Sequence, residues 1–196
     1  AAKYPNEVGS YRRTFSVPAD WKGRQVYINF DGVDSFFFLW INGKYVGFSK
    51  NSRTLAQFDI TPYLNKKGEN VVALEVYRNS DGSFLESQDM FRLPGINRNV
   101  YLTSKPQVQV RDVVAIPSYK DANYTDAVLN VKTYVSNLGK KDQKFQLAYK
   151  LLEVELYGDA TKPVSGVEGT VPVSLVKKGS EMLATAQIAV GKAVRP

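Results

Sequence analysis

Cysteine and histidine are both absent from the 196 residues. Without cysteine there is no disulfide, no thiolate metal site and no thiol nucleophile. Without histidine the commonest general base and the commonest metal ligand are missing, so Ser-His-Asp chemistry is impossible within this chain. The lack of cysteine disfavours a disulfide-dense secreted module and fits a cytoplasmic or a bacterial periplasmic protein equally well. The first residues, Ala1-Ala2-Lys3-Tyr4-Pro5, have no signal-peptide layout. No apolar run approaches the roughly 18–20 residues that span a bilayer. A long helical pattern is also missing. The best helical turn lies at 60–64, where Thr61 suits an N-cap and Pro62 the first helical position.

What is present favours strands. Tyr, Phe and Trp number 12, 10 and 2, and Val and Thr are frequent, which is strand-forming composition. With 43% apolar and 23% charged residues the chain is globular rather than disordered. The net charge is +7, but the lysines stand singly or in doublets such as Lys66-Lys67, Lys140-Lys141 and Lys177-Lys178. No basic run interleaves with aromatics, so the charge reads as a solvated surface and not as a nucleic-acid footprint.

Alternation with a period of two marks Val26, Ile28 and Phe30, and again Val72, Leu74 and Val76. The run 36–41 is apolar at every position, which predicts a strand covered on both faces. Asn42-Gly43 separates it from the next apolar run, the strongest local signal for a type I′ hairpin. Asp81-Gly82 predicts another turn, and 98–103 another strand. A boundary falls at 104–106, giving domains 1–106 and 107–196. Beyond it, strands are predicted at 108–116, 127–135, 145–155 and 182–190, with a turn at Asn137-Leu138-Gly139-Lys140. The Gly-, Lys- and Pro-rich stretch 157–169 predicts a loop. The fold class is therefore all-β, its second half an immunoglobulin-like β-sandwich with only five countable strands against about seven in a complete one. That shortage predicts truncation at the C-terminus and a bare edge through which copies could pair.

Two loops carry the polar groups that sugar chemistry needs. Residues 79–90 hold Asp81, Glu86 and Asp89 among amides and hydroxyls; Asp31-Gly32-Val33-Asp34-Ser35 joins two strands. Carboxylates accept hydroxyl hydrogen bonds, and loops on rigid sheets are favoured functional places. Ordinary Asp-Gly turns explain part of both patterns. The aromatic run 36–40 suits the core better than a sugar-stacking platform. Asp34, Glu86 and Asp89 are weak candidates for a glycosidase acid and nucleophile, which must stand about 5 Å apart for retention.

The same residues carry a resemblance. Asn6-Glu7-Val8-Gly9-Ser10-Tyr11-Arg12-Arg13-Thr14-Phe15, Phe30-Asp31-Gly32-Val33-Asp34-Ser35, Leu39-Trp40-Ile41-Asn42-Gly43-Lys44-Tyr45-Val46-Gly47, Asn51-Ser52-Arg53 and Phe58-Asp59-Ile60-Thr61 match in order. Ser80-Asp81-Gly82-Ser83-Phe84-Leu85-Glu86-Ser87-Gln88-Asp89-Met90 and Gly95-Ile96-Asn97-Arg98-Asn99-Val100-Tyr101-Leu102 complete the set. Together they resemble the β-galactosidases of glycoside hydrolase family two. The resemblance implies a jelly-roll, galactose-binding-like domain at 1–106 followed by an immunoglobulin-like one. It implies a (β/α)8 barrel further along the polypeptide that carries both catalytic glutamates and the magnesium ligands. It also implies that no catalytic residue lies in this chain. In the full enzyme Asp89 matches an aspartate that binds galactose hydroxyls and a sodium ion. Asp34 matches a galactose-contacting position that is Asn in the best-known members, so the acceptor is kept and the amide donors are lost. Glu86 matches a glutamate without an assigned role.

Overall fold

The computed structural model describes residues 5–65, 67–86, 89, 91, 93–119, 126–154 and 161–192. It divides into two compact units, residues 1–106 and 107–196. Strands of the first unit are β1 (Val8–Phe15), β2 (Gln25–Phe30), β3 (Val33–Asp34), β4 (Phe36–Ile41), β5 (Lys44–Ser49), β6 (Ala56–Asp59), β7 (Asn70–Tyr77), β8 (Gly95–Ile96) and β9 (Val100–Lys105); the short helix α1 (Asp81–Leu85) lies between β7 and β8. They form sheets of order β1-β7-β4-β5 and β6-β2-β9 and the small pair β3-β8, all antiparallel.

The period-two pattern explains the core. Val26, Ile28 and Phe30 of β2 face Phe37, Leu39 and Ile41 of β4 and Val72, Leu74 and Val76 of β7 in one buried cluster. Inner faces of the two larger sheets thus share a single interior, the definition of a sandwich. The Phe30 and Phe37 rings meet at 4.9 Å between centroids, tilted by 52°.

Strand β4 corrects one expectation. Only Phe37, Leu39 and Ile41 are buried, while Phe36, Phe38 and Trp40 are half-buried on the opposite face. There they meet Tyr77, Phe48 and Tyr45 edge-on or tilted, as in Phe38–Tyr77 at 84° and Trp40–Tyr45 at 61°. A continuous apolar run is therefore covered by neighbouring sheets on one side and by its own aromatic neighbours on the other. Rings at such angles present no shared plane for a sugar to stack on.

Asn42 and Gly43 take φ of 51° and 75° and join β4 to β5 with Ile41 opposite Lys44, as a type I′ turn requires. The Asn42 amide also donates to the Tyr63 carbonyl at 2.9 Å and to Asn70 Oδ1 at 2.8 Å, and its oxygen accepts from the Val71 N–H at 2.8 Å. The helical turn is a 3₁₀ segment, Thr61–Tyr63, whose cap position is Ile60. Thr61 is not the cap: its N–H donates to Asp59 Oδ1 at 2.9 Å, and its hydroxyl accepts the Val26 N–H at 2.8 Å. Asp81-Gly82 is not a turn either. It opens α1, before which the Ser80 N–H donates to Ser83 Oγ at 2.9 Å.

The second unit contains β10 (Val108–Tyr119), β11 (Asp126–Asn137), β12 (Gln143–Phe145), β13 (Ala148–Val154), β14 (Thr161–Thr170), β15 (Ser174–Val176) and β16 (Ser180–Lys192). Its sheets are β10-β11-β16, β12-β15 and β13-β14. Seven strands are formed among the described residues, two more than the pattern suggests, so a shortage of strands no longer argues for truncation. The predicted strand 145–155 splits into β12 and β13. Of the predicted loop 157–169, residues 157–160 lie outside the described residues and the rest is strand, paired through Leu152–Pro163. Proline is tolerated there because β14 is the outer member of a two-stranded sheet. Buried Asn137 fastens the end of β11, donating to the carbonyls of Lys141 at 2.8 Å and Val176 at 3.2 Å.

Candidate functional site

Asp34 ends the two-residue strand β3, which pairs with β8 so that Asp34 stands opposite Gly95. Gly95 adopts a φ of 120°, which disfavours any side chain. The adjoining Ser35 is fully buried, and its N–H and hydroxyl both reach the Tyr77 carbonyl, at 3.4 and 3.3 Å. Gly32 has a different task from the turn suggested by Asp31-Gly32. A Cβ there would stand 3.1 Å from Arg98 Cδ and 3.4 Å from the Ser52 carbonyl oxygen. The glycine therefore permits three segments to approach one another closely.

Those segments supply a connected group of polar side chains. The Asp34 side chain is 14% exposed and has Arg53 Nη2 3.5 Å from Oδ2. Ser52 is buried, and its hydroxyl lies 3.4 Å from Asp34 Oδ1 and 2.6 Å from Glu86 Oε2. The Ser52 N–H also donates to Glu86 Oε1 at 3.5 Å. Arg53 donates in addition to the Phe91 carbonyl at 3.4 Å. The segment 31–35, the segment 51–53 and the side chain of Glu86 thus converge at Asp34, with the Phe91 carbonyl on Arg53. Lys50 extends the connection by an ion pair with Asp81 at 2.9 Å, and this hydrogen bond is the main reason the Asp81 carboxyl is held below its ordinary value. A cavity of about 260 Å³ lies beside Gly95, lined also by Glu7, Tyr11 and Arg78.

Of the two predicted sugar-contacting residues, Asp34 is in this group. Asp89 is exposed, and no described contact joins it to Asp34. Its neighbours Ser87, Gln88 and Met90 lie outside the described residues. Ser52 and Arg53 have no role in the sequence reading beyond membership of the resembling segments. The available signal was the Asn51-Ser52-Arg53 match itself, since nothing in the local pattern shows that this stretch meets Asp34. Among the described residues no group of three or more acidic, His or Cys side chains is arranged to hold a metal ion. No helix among them is long and apolar enough to cross a membrane.

Comparison with known proteins agrees with this layout. The family model described as "Glycosyl hydrolases family 2, sugar binding domain" matches residues 2–106. A β-galactosidase of Priestia megaterium is 50% identical over 137 residues, covering 70% of this chain and 13% of that protein. A β-galactosidase large subunit of Lactobacillus helveticus is 40% identical over 145 residues, 74% of this chain and 22% of the subunit. The chain therefore spans less than a quarter of the length of these relatives. Among solved structures, a β-glucuronidase of Bacteroides uniformis superposes with a TM-score of 0.79 at 22% identity, over 96% of this chain and 22% of that one. At that identity the likeness bears on the fold alone. A family match running through the whole sandwich and all three segments around Asp34 is decisive: the chain belongs to glycosyl hydrolase family 2.

Proposed function

We propose that this chain is a non-catalytic part of a retaining β-galactosidase that hydrolyses terminal β-D-galactosides. Its first unit, read as a jelly roll, supplies a loop and a carboxylate to an active site whose acid and nucleophile belong to a (β/α)8 barrel elsewhere in the polypeptide. Its second unit, read as an immunoglobulin-like sandwich, is scaffolding. The observation that carries this reading is the convergence of three segments on Asp34, in a sequence up to 50% identical to β-galactosidases.

The chemistry agrees. Asp34 and Glu86 flank the Ser52 hydroxyl, and Asp34 alone of the two also faces Arg53, which fixes the Asp34 carboxylate for a hydroxyl to meet. A retaining hydrolase needs an acid and a nucleophile flanking an open glycosidic bond. Asp89 is an exposed acceptor on the segment after α1; in this reading it serves a sugar hydroxyl or a cation jointly with groups outside this chain. For the sodium ion implied by the resemblance, Asp89 would supply one carboxylate donor; among the described residues no group of three or more acidic, His or Cys side chains gathers there. The magnesium ligands belong to the barrel in this reading.

A site completed by other domains binds little by itself, because a single hydroxyl–carboxylate bond exchanged against water contributes only about 0.5–1.5 kcal/mol net. Isothermal titration of the 196-residue chain with galactose should therefore show no saturable micromolar binding. The decisive assay is hydrolysis of a chromogenic β-galactoside by this chain at high concentration, beside Asp89→Asn. Absence of turnover supports the proposal. Turnover abolished by Asp89→Asn overturns it, because the carboxylates here would then be catalytic.

A further inference from the structure

The Ser52 hydroxyl has one proton and two carboxylates beside it. Glu86 Oε2 lies at 2.6 Å and Asp34 Oδ1 at 3.4 Å. O–H···O bonds ordinarily measure about 2.5–3.0 Å, so the first distance is a strong charge-assisted bond and the second is barely one. The proton belongs to Glu86. That grip is reinforced from the backbone, since the Ser52 N–H points to the other Glu86 oxygen at 3.5 Å. Asp34 Oδ1 is left with only that long 3.4 Å contact, while Oδ2 faces Arg53 at 3.5 Å.

We infer that Glu86 is a positioning residue: by drawing the Ser52 hydroxyl proton to itself it leaves Asp34 available to accept from a sugar hydroxyl. This rests on the reading of Asp34 as a sugar contact. Glu86 reaches Ser52 from just beyond α1, and Ser52 is buried against Gly32 at the base of β3. The contact therefore also ties the end of α1 to the Ser52 segment that lies beside Asp34. Without Glu86, a movement of a few tenths of an ångström brings the Ser52 hydroxyl into full hydrogen-bond range of Asp34. The bond would then compete with the substrate for the same oxygen.

The competition has a signature that a merely structural role lacks. In the intact hydrolase carrying this chain, Glu86→Ala should raise KM for a nitrophenyl β-galactoside about tenfold, the equivalent of one lost hydrogen bond, and Glu86→Gln, whose carbonyl still accepts from Ser52, should restore most of it. Ser52→Ala should have a small effect alone and should improve Glu86→Ala when combined with it, because the competing hydroxyl is gone. A double variant no better than Glu86→Ala, or Glu86→Gln as poor as Glu86→Ala, overturns the inference.

Asp34→Ala run in parallel separates the two readings. If it leaves KM unchanged, the active-site reading fails. The partition of the Ser52 proton is then decided in the 196-residue chain by the ¹³C shift of the Asp34 carboxyl. That shift should move in Glu86→Ala and return in the double variant. A shift that stays put in Glu86→Ala overturns the inference independently of catalysis.

Discussion

The two units are made of the same material and hold it in different ways. In residues 1–106, Phe30, Phe37, Leu39, Ile41 and Ile60 are all under 2% exposed and belong to one continuous cluster. In residues 107–196 the buried apolar side chains among the described residues are Ala127, Val135, Val167, Val176, Ala184 and Ile188, mostly small ones. Val110, Val113, Ile116, Leu175 and Leu183 of that unit remain substantially exposed. The first unit is specified by a filled interior. The second relies on long ladders, with β11 paired along most of its length to β10 on one side and β16 on the other. The lesson is functional as well: a filled interior gives the first unit a rigid floor on which β3 and β8 can hold Asp34 in place.

The contrast can be broken by cutting each interior in turn. Leu39→Ala should cost about 4–5 kcal/mol and Ile188→Ala about 2–3 kcal/mol, the upper and lower parts of the range for truncating a buried Leu or Ile. Urea denaturation followed by probes in each unit checks this, and equal losses would erase the difference.

Next in size are the two asparagine clamps. Asn137→Ala and Asn42→Ala each remove an amide that satisfies several backbone groups, at about 2–3 kcal/mol from partners left unsatisfied. The loss in Asn137→Ala should lower the melting temperature of its unit further than Asn42→Ala lowers the other, because a smaller core compensates less. Equal shifts would contradict the ladder-dependent picture.

A smaller effect is expected at Gly32→Ala. The new Cβ would press on Arg98 Cδ at 3.1 Å, displacing the Ser52 segment at about 1–2 kcal/mol of strain. Amide shifts on NMR spectra should concentrate at residues 51–53 and 31–35 rather than spread through the sheets.

The smallest effects are the exposed ion pairs. In Arg111–Glu181 the Arg111 hydrogen bond is the largest cause holding the Glu181 carboxyl below its ordinary value, with Ser136 adding to it. Lys50 does the same for Asp81 in the first unit. A depressed folded-state pKa contributes stability that is full above the unfolded-state value, about 4 for these groups, and is lost as pH falls through the folded-state value. Because both pairs are solvent-exposed, the effect is slight. Thermal midpoints of Glu181→Gln and the parent chain should differ a little at neutral pH and converge below the ordinary carboxylate range. A difference that grows on acidification would reverse the sign.

Legibility followed the range of the interactions. The Asn42-Gly43 hairpin was readable because its positive φ angles are a local demand that few residues meet. Strands β2 and β7 were readable because one buried face imposes a period of two. Strand β14 was hidden, since the Gly and Pro in Thr161–Thr170 argue for a loop unless β13 is known to pair with it. Asp81-Gly82 looked like a turn, and only the Ser80 and Ser83 side chains decide for a helix there. Asp34 was found through its resemblance to a family position, whereas Ser52 and Arg53 were found only through space.

The sequence by itself determined an all-β chain with a sugar-hydrolase family signature, the alternation of its core strands and the absence of thiol and imidazole chemistry. Each of these depends on residue identity or on neighbours a few positions apart. The tertiary structure alone decided that residues 34, 52, 53 and 86 form one group, that Gly32 serves close approach, and that the aromatic row of β4 lies on an outer face. Those facts depend on which distant segments the antiparallel pairings bring together. Registers such as Asp34 opposite Gly95 are set by the summed burial of whole sheets and not by any local pattern.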